Sequence, residues 1–212
     1  MNILIVEGGR EYHKFFERLG FDSVTSIEQA DVVCFTGGED VSPSLYGDMQ
    51  HETTWNSPAR DTMEARIFDN AVEYGIPMVG ICRGAQFLNV CSGGRMYQDV
   101  SRHTASHELI DHETGEHVYV SSTHHQMMKP SENGIIIATS TGVDSYREWF
   151  DGHVPRSDVT SDGIEVVWYP KTKALCFQPH PEFSVFEEDY EPMANYFKRL
   201  LERFVVPVAM SV

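Results

Sequence analysis

Val79-Gly80-Ile81-Cys82-Arg83-Gly84-Ala85-Gln86 decides how this chain is read. Ahead of it, Ile76-Pro77-Met78-Val79 is a short apolar run of the kind that forms a buried parallel strand. Behind it, Gln86-Phe87-Leu88-Asn89-Val90-Cys91 is apolar nearly all round, as suits a helix buried under other layers. Cys82 then falls on the turn between strand and helix, with Gly80 and Gly84 flanking it at two-residue spacing. That is the spacing of a nucleophile elbow, where a sharp turn lifts one side chain above the sheet edge. Such a turn brings strand and helix too close for a Cβ, hence glycine on both sides. The thiol lies at a helix N-terminus, whose partial positive charge favours thiolate over thiol. A buried, inert cysteine is the competing reading. The glycine flanks and the strand–turn–helix setting favour the reactive one.

Outward from this stretch, the chain alternates strand and helix. Asn2 to Val6 is a β-rich run closed by Gly8-Gly9. Tyr12, Phe15, Phe16 and Leu19 recur at helical spacing, and Gly20 sits where a helix C-cap belongs. Asp31-Val32-Val33-Cys34-Phe35-Thr36 is a second buried strand, ended by Gly37-Gly38-Glu39-Asp40. This β–α–β order points to an α/β fold with a parallel sheet. Val41 to Arg60 is irregular, with Pro43, Gly47 and Pro58; Leu45, Tyr46 and Trp55 mark it as a surface loop rather than a linker. Asp61 and Glu64 have the spacing of a capping box. Met63, Ile67, Phe68, Ala71 and Val72 form the apolar stripe of the following helix, which Gly75 stops.

Beyond Gly93-Gly94, strands are expected at His117–Ser121, Gly134–Thr139, Ile164–Tyr169 and Ala174–Phe177. A last helix is expected over Phe186 to Phe204, with Phe186, Tyr190, Met193, Phe197, Leu200, Leu201 and Phe204 on one face. Between Ser101 and His117, His103, His107, His112 and His117 lie among Glu108, Asp111, Glu113 and Glu116. Their spacings match neither H-E-x-x-H nor a Cys/His zinc pattern. A solvated, strand-poor insertion is therefore expected there rather than a metal site.

The 212 residues suffice for one α/β domain over 1–212 with a large core. Acidic residues number 32 against 16 basic ones, a formal net charge of −16. Such a chain should be soluble and should repel nucleic acid and anionic membranes. No run approaches the length of a membrane span. Met1 to Val6 lacks a basic region and a cleavage site, and reads as a first strand rather than a signal peptide. Cys34, Cys82, Cys91 and Cys176 are widely spaced, which argues against a zinc knuckle or disulfide framework and for a reducing cytoplasm.

A cysteine nucleophile needs a base within reach and a third group to orient that base. Gln178-Pro179-His180-Pro181-Glu182 supplies both after the last strand: His180 to take the thiol proton, and Glu182 to hold the imidazole tautomer. In parallel α/β sheets the site lies at the carboxyl ends of strands. Gly38, Cys82 and His180 each follow an expected strand at that end.

These residues reach a family. Gly80-Ile81-Cys82-Arg83-Gly84-Ala85-Gln86 with His180-Pro181-Glu182 resembles the class I glutamine amidotransferase superfamily. Gly37 to Gly47, Arg60-Asp61 and Ser121-Ser122-Thr123-His124-His125-Gln126 resemble its γ-glutamyl-γ-aminobutyrate hydrolase branch. The likeness runs from Asn2 to about Leu200 in the family's motif order. It implies a flavodoxin-like three-layer α/β/α sandwich, mostly parallel, with a Cys82, His180, Glu182 triad that hydrolyses a γ-glutamyl amide through a thioester. It further implies an oxyanion hole from the backbone N–H groups of Gly38 and Arg83. Gln86, Ser122, His124 and His125 would line the glutamyl pocket. No cofactor and no metal are expected. The partner is a small-molecule γ-glutamyl amide or glutamine, and a homodimer or a separate synthase partner fits the same resemblance. The chain has no ATP-binding Gly-rich loop, so ammonia supply would require that synthase.

Overall fold

Strand and helix alternate through the first half of the chain as its apolar runs require: β1 (Asn2–Val6), α1 (Arg10–Arg18), β2 (Asp22–Val24), β3 (Val32–Phe35), α2 (Pro58–Tyr74), β4 (Met78–Ile81) and α3 (Arg83–Cys91). Strands dominate the second half: β5 (Arg95–Tyr97), β6 (Asp99–Val100), β7 (His107–Asp111), β8 (His117–Val120), β9 (Met127–Lys129), β10 (Ile135–Thr141), β11 (Trp149–Asp151), β12 (Val154–Arg156), β13 (Ile164–Tyr169) and β14 (Ala174–Phe177), before α4 (Glu191–Leu200). The structure, a computed structural model, describes residues 1–100, 103–141, 149–151, 154–156 and 163–206.

The main sheet has nine strands in the order β2-β1-β3-β4-β14-β13-β10-β7-β8. From β2 to β14 all neighbours are parallel. From β14 outward the pairs are antiparallel, giving a meander-like extension that periodicity alone did not reveal. Two small sheets, β5-β9 and β12-β11-β6, lie outside it.

Successive strand residues face opposite sides of a sheet, and here they feed two cores. Val32, Cys34, Val79 and Ile81 join α1 and α4 through Phe15, Phe16, Phe197 and Leu200. Val33, Phe35 and Met78 join α2 and α3 through Phe68, Ala71, Phe87 and Leu88. Helices on both faces of this mixed sheet, parallel from β2 to β14, make the expected flavodoxin-like sandwich. β3, β4 and α3 are buried along nearly their whole length, as their unbroken apolar runs imply. Among the described residues, no helix is long and apolar enough to cross a membrane.

Several local expectations need correction. α2 starts at Pro58, whose missing N–H is harmless in a first turn, and Ser57 caps it by accepting from the Arg60 N–H. Asp61 and Glu64 therefore lie within the helix, buried, and are not a capping box. The last α-helix begins at Glu191 rather than Phe186 because Pro192 is tolerated only in its first turn. Phe186 is exposed, and a π-helical turn over Leu201–Val205 ends the element. In the loop after β3, Tyr46 is buried while Leu45 and Trp55 are exposed. The His-rich stretch is not strand-poor: it holds β7, which pairs with β8 and β10.

Candidate active site

Cys82 follows β4 with φ 52° and ψ −113°, a backbone conformation that costs a non-glycine residue strain. The surrounding packing holds it there. A Cβ on Gly84 would lie inside the van der Waals surface of the Phe35 carbonyl, so α3 crosses β3 at backbone contact only because that position is glycine. Gly84→Ala is expected to destabilise the fold by at least about 1–3 kcal/mol, the usual range for overpacking; an unchanged urea midpoint would show that the contact yields.

His180 follows β14, which is hydrogen-bonded beside β4, so thiol and imidazole emerge from adjacent parallel strands. The His180 ring lies near enough to Cys82 to interact with it electrostatically. Its Nδ1–H donates to Glu182 Oε1 at 2.6 Å, leaving Nε2 for the thiol. The ring also stacks on Phe183, centroids 4.6 Å apart and planes 7° apart. Burial alone would lower the His180 pKa, but Cys82 and the Glu182 carboxylate together hold it well above the ordinary histidine value. The other cysteines differ. Burial raises Cys34 and Cys176 well above the normal thiol range and pushes Cys91 up to about 12.

A cavity of about 310 Å³ opens over Cys82. Gly38, Arg83, Gln86, His124, His125 and His180 are among the residues that line it. Arg83 is the first residue of α3, so its N–H has no intrahelical carbonyl to bind. Gly38 has φ 143°, a conformation open to glycine. Gln86 Nε2 donates to Gln178 Oε1 at 3.2 Å. His125 stands between Asp40 at 3.3 Å and Asp99 at 3.4 Å, and its hydrogen bond to Asp40 raises its pKa. Burial lowers that of His124, whose Nδ1–H donates to the Gln126 carbonyl. Ser122 is a correction: it does not line the cavity, because its hydroxyl donates to the His103 carbonyl instead.

Sequence reasoning missed the support behind the loop that carries Gly38. Arg60 Nη2 donates to the Thr36 carbonyl at 3.1 Å and the Gly37 carbonyl at 3.0 Å, and its Nη1 pairs with Glu39 at 3.1 Å. Arg83 Nε donates to the Glu39 carbonyl at 3.1 Å. Buried Asp61 and Glu64 neutralise Arg83, and Glu64 also pairs with Arg60 at 2.8 Å. Two arginines thus clamp the backbone on either side of Gly38. The signal was in plain view as Arg60-Asp61-x-x-Glu64, three charged residues opening a helix that must pack on a buried one. Thr53, Trp55 and Gln126 also reach the cavity unannounced.

Chains with this layered fold and a thiol so placed make up the class I glutamine amidotransferase-like superfamily, and this chain is one of them. Within it, the chain belongs to the Peptidase C26 family, whose sequence profile matches residues 21–182. It is 36% identical over 182 residues to a glutamine amidotransferase-like protein of Lactococcus lactis subsp. lactis, covering 76% of this chain and 70% of that one. It is 32% identical over 133 residues to the carbamoyl phosphate synthase small chain of Brucella ovis, covering 61% of this chain but 28% of the relative. A glutamine amidotransferase structure from Thermotoga maritima superposes with a TM-score of 0.60 at 14% identity, covering 99% of this chain and 90% of that one.

Proposed function

We propose that this chain hydrolyses γ-glutamyl amides on its own. The observation that carries the reading is that Cys82, His180, Gly38 and Arg83 line one cavity, with Glu182 hydrogen-bonded to His180. Cys82 attacks the amide carbonyl, and the N–H groups of Gly38 and Arg83 receive the developing oxyanion. His180 protonates the departing amine, leaving a γ-glutamyl thioester, and then draws a proton from water to hydrolyse it. Glu182 orients the ring and stabilises the imidazolium. Gln86 and His125 bind the glutamyl end.

The double arginine clamp favours a free-standing hydrolase. An oxyanion loop tied at the Thr36, Gly37 and Glu39 carbonyls is set before substrate arrives. A glutaminase subunit that feeds ammonia to a synthase is the second reading, and the carbamoyl phosphate synthase small chain relative supports it. Glu39 and Asp40 on the cavity wall, with the net charge of −16, favour a neutral or cationic leaving amine over an anionic one.

Steady-state kinetics of the purified chain on glutamine and on γ-glutamyl amides of mono- and diamines separate the two. Appreciable turnover of an amide bearing an amine larger than ammonia is expected. Negligible turnover of every amide, rescued by a synthase from the same source, would move the chain to the ammonia-donor class.

A further inference from the structure

Three histidines and a glutamate from separate segments meet beside the cavity, outside the Cys82, His180, Glu182 set. Glu165 enters from β13, His107 from the start of β7, His103 from just before it, and His124 from the turn after β8. His103, His124 and Glu165 are buried, and the His107 side chain is nearly so. Glu165 Oε1 lies 3.0 Å from His107 Nε2, 3.8 Å from His103 Nδ1 and 3.9 Å from His124 Nε2. One donor atom from each of His103, His107 and Glu165 lies within 4.8 Å of the other two.

The ring protons sharpen this. His107 Nδ1 faces the Ala105 carbonyl at 3.1 Å, and His124 Nδ1 faces the Gln126 carbonyl at 2.7 Å. A carbonyl only accepts, so each Nδ1 carries its proton, and in a neutral ring each Nε2 is a bare lone pair. Lone pairs aimed at a carboxylate oxygen repel it unless positive charge lies between. A proton shared by His107 and Glu165 answers one pair. It leaves His124 Nε2 and Glu165 Oε2 buried without a hydrogen-bond partner, which is costly.

We propose that His103, His107, His124 and Glu165 bind a divalent cation of the zinc class. Imidazole nitrogens with one carboxylate suit zinc over magnesium or calcium. Bonds of about 2.0–2.2 Å in a tetrahedron place neighbouring donors about 3.4 Å apart; the three distances to Glu165 bracket that value, and His103, His107 and Glu165 form the tight set with His124 at its edge. Ligating histidines characteristically donate their other ring N–H to a carbonyl or carboxylate, as His107 and His124 do. The ion would join three segments of the chain and fix the cavity wall that carries His124. No step of the thiol chemistry passes through it.

The test uses the full chain carrying Cys82→Ala, so that the reactive thiol cannot capture metal. After exhaustive chelation, Zn²⁺ is titrated against a chromophoric competitor, and Co²⁺ serves as an optical probe. About one equivalent of zinc should bind, and Co²⁺ should show visible bands of a four-coordinate nitrogen and oxygen site without thiolate charge transfer. Adding Glu165→Gln or His107→Gln should weaken zinc binding at least about tenfold. His117→Gln, at an exposed histidine outside the cluster, should not weaken it. Absence of zinc binding in the Cys82→Ala chain, a thiolate band, or unchanged affinity in both cluster variants overturns the proposal. The Co²⁺ spectrum needs no cluster variant, so it stands even where Glu165→Gln does not fold.

Discussion

Cys82→Ala is expected to lower kcat by roughly 10⁶, to the residual rate that binding and oxyanion contacts alone sustain in a comparable serine protease. The remaining thiols offer no substitute: each is held protonated by burial, and none lines the cavity. His180→Ala should cost nearly as much, because nucleophile and base act as a unit. Glu182→Gln should cost less and should also move the pH profile. The Glu182 carboxylate is one of the groups that raise the His180 pKa in the folded protein. Removing its charge lowers that pKa, so imidazolium is lost at lower pH. The alkaline limb of kcat/KM should therefore shift downward. Stopped and steady-state amine release across pH reads all three variants. A Cys82→Ala enzyme that still turns over, beside a Cys176→Ala enzyme that does not, would overturn the assignment.

The second large effect is on stability. Glu64 is fully buried and faces both Arg60 and Arg83. Glu64→Ala leaves the Arg83 guanidinium buried with Asp61 as its remaining carboxylate. Removing one partner of a buried ion pair costs about 3–5 kcal/mol, because the other charge stays desolvated. Urea unfolding should show that loss as a lower midpoint at unchanged slope. The same variant should lose kcat in whatever molecules stay folded, since Arg60 then keeps Glu39 as its one remaining carboxylate partner over the Gly37 carbonyl. A loss below about 1 kcal/mol would mean that water reaches the network.

The parallel half of the sheet was legible because its strands are apolar on both faces, and an unbroken run such as Val32 to Phe35 has few other readings. The elbow was legible because Gly80 and Gly84 are demanded by backbone contact. The short strands β5, β6, β7 and β9 were not, since two to five residues carry little usable period and they pair with strands far along the chain. Asp61 and Glu64 were misread for a related reason. Capping-box spacing is also helical spacing, and only the position of Arg83 in space shows that the carboxylates point inward. His103 and His107 pack against Glu165, which no local pattern joins to them. Ser122 was assigned by motif, and a backbone carbonyl took its hydroxyl.

The position of β14 has a consequence for the timing of biosynthesis. Among the described residues it is the last strand to be made, yet it lies in the middle of the sheet, between β4 and β13. Cys82 leaves the ribosome long before His180, and no amino-terminal intermediate can bring the two together. Closing so long a loop is slow compared with local helix formation. The nascent chain therefore carries its thiol without a base until the final strand threads into place, and reactivity and completed sheet arrive in a single event. A chain stalled or cut short before Ala174 would display an exposed β4 edge and no hydrolytic competence.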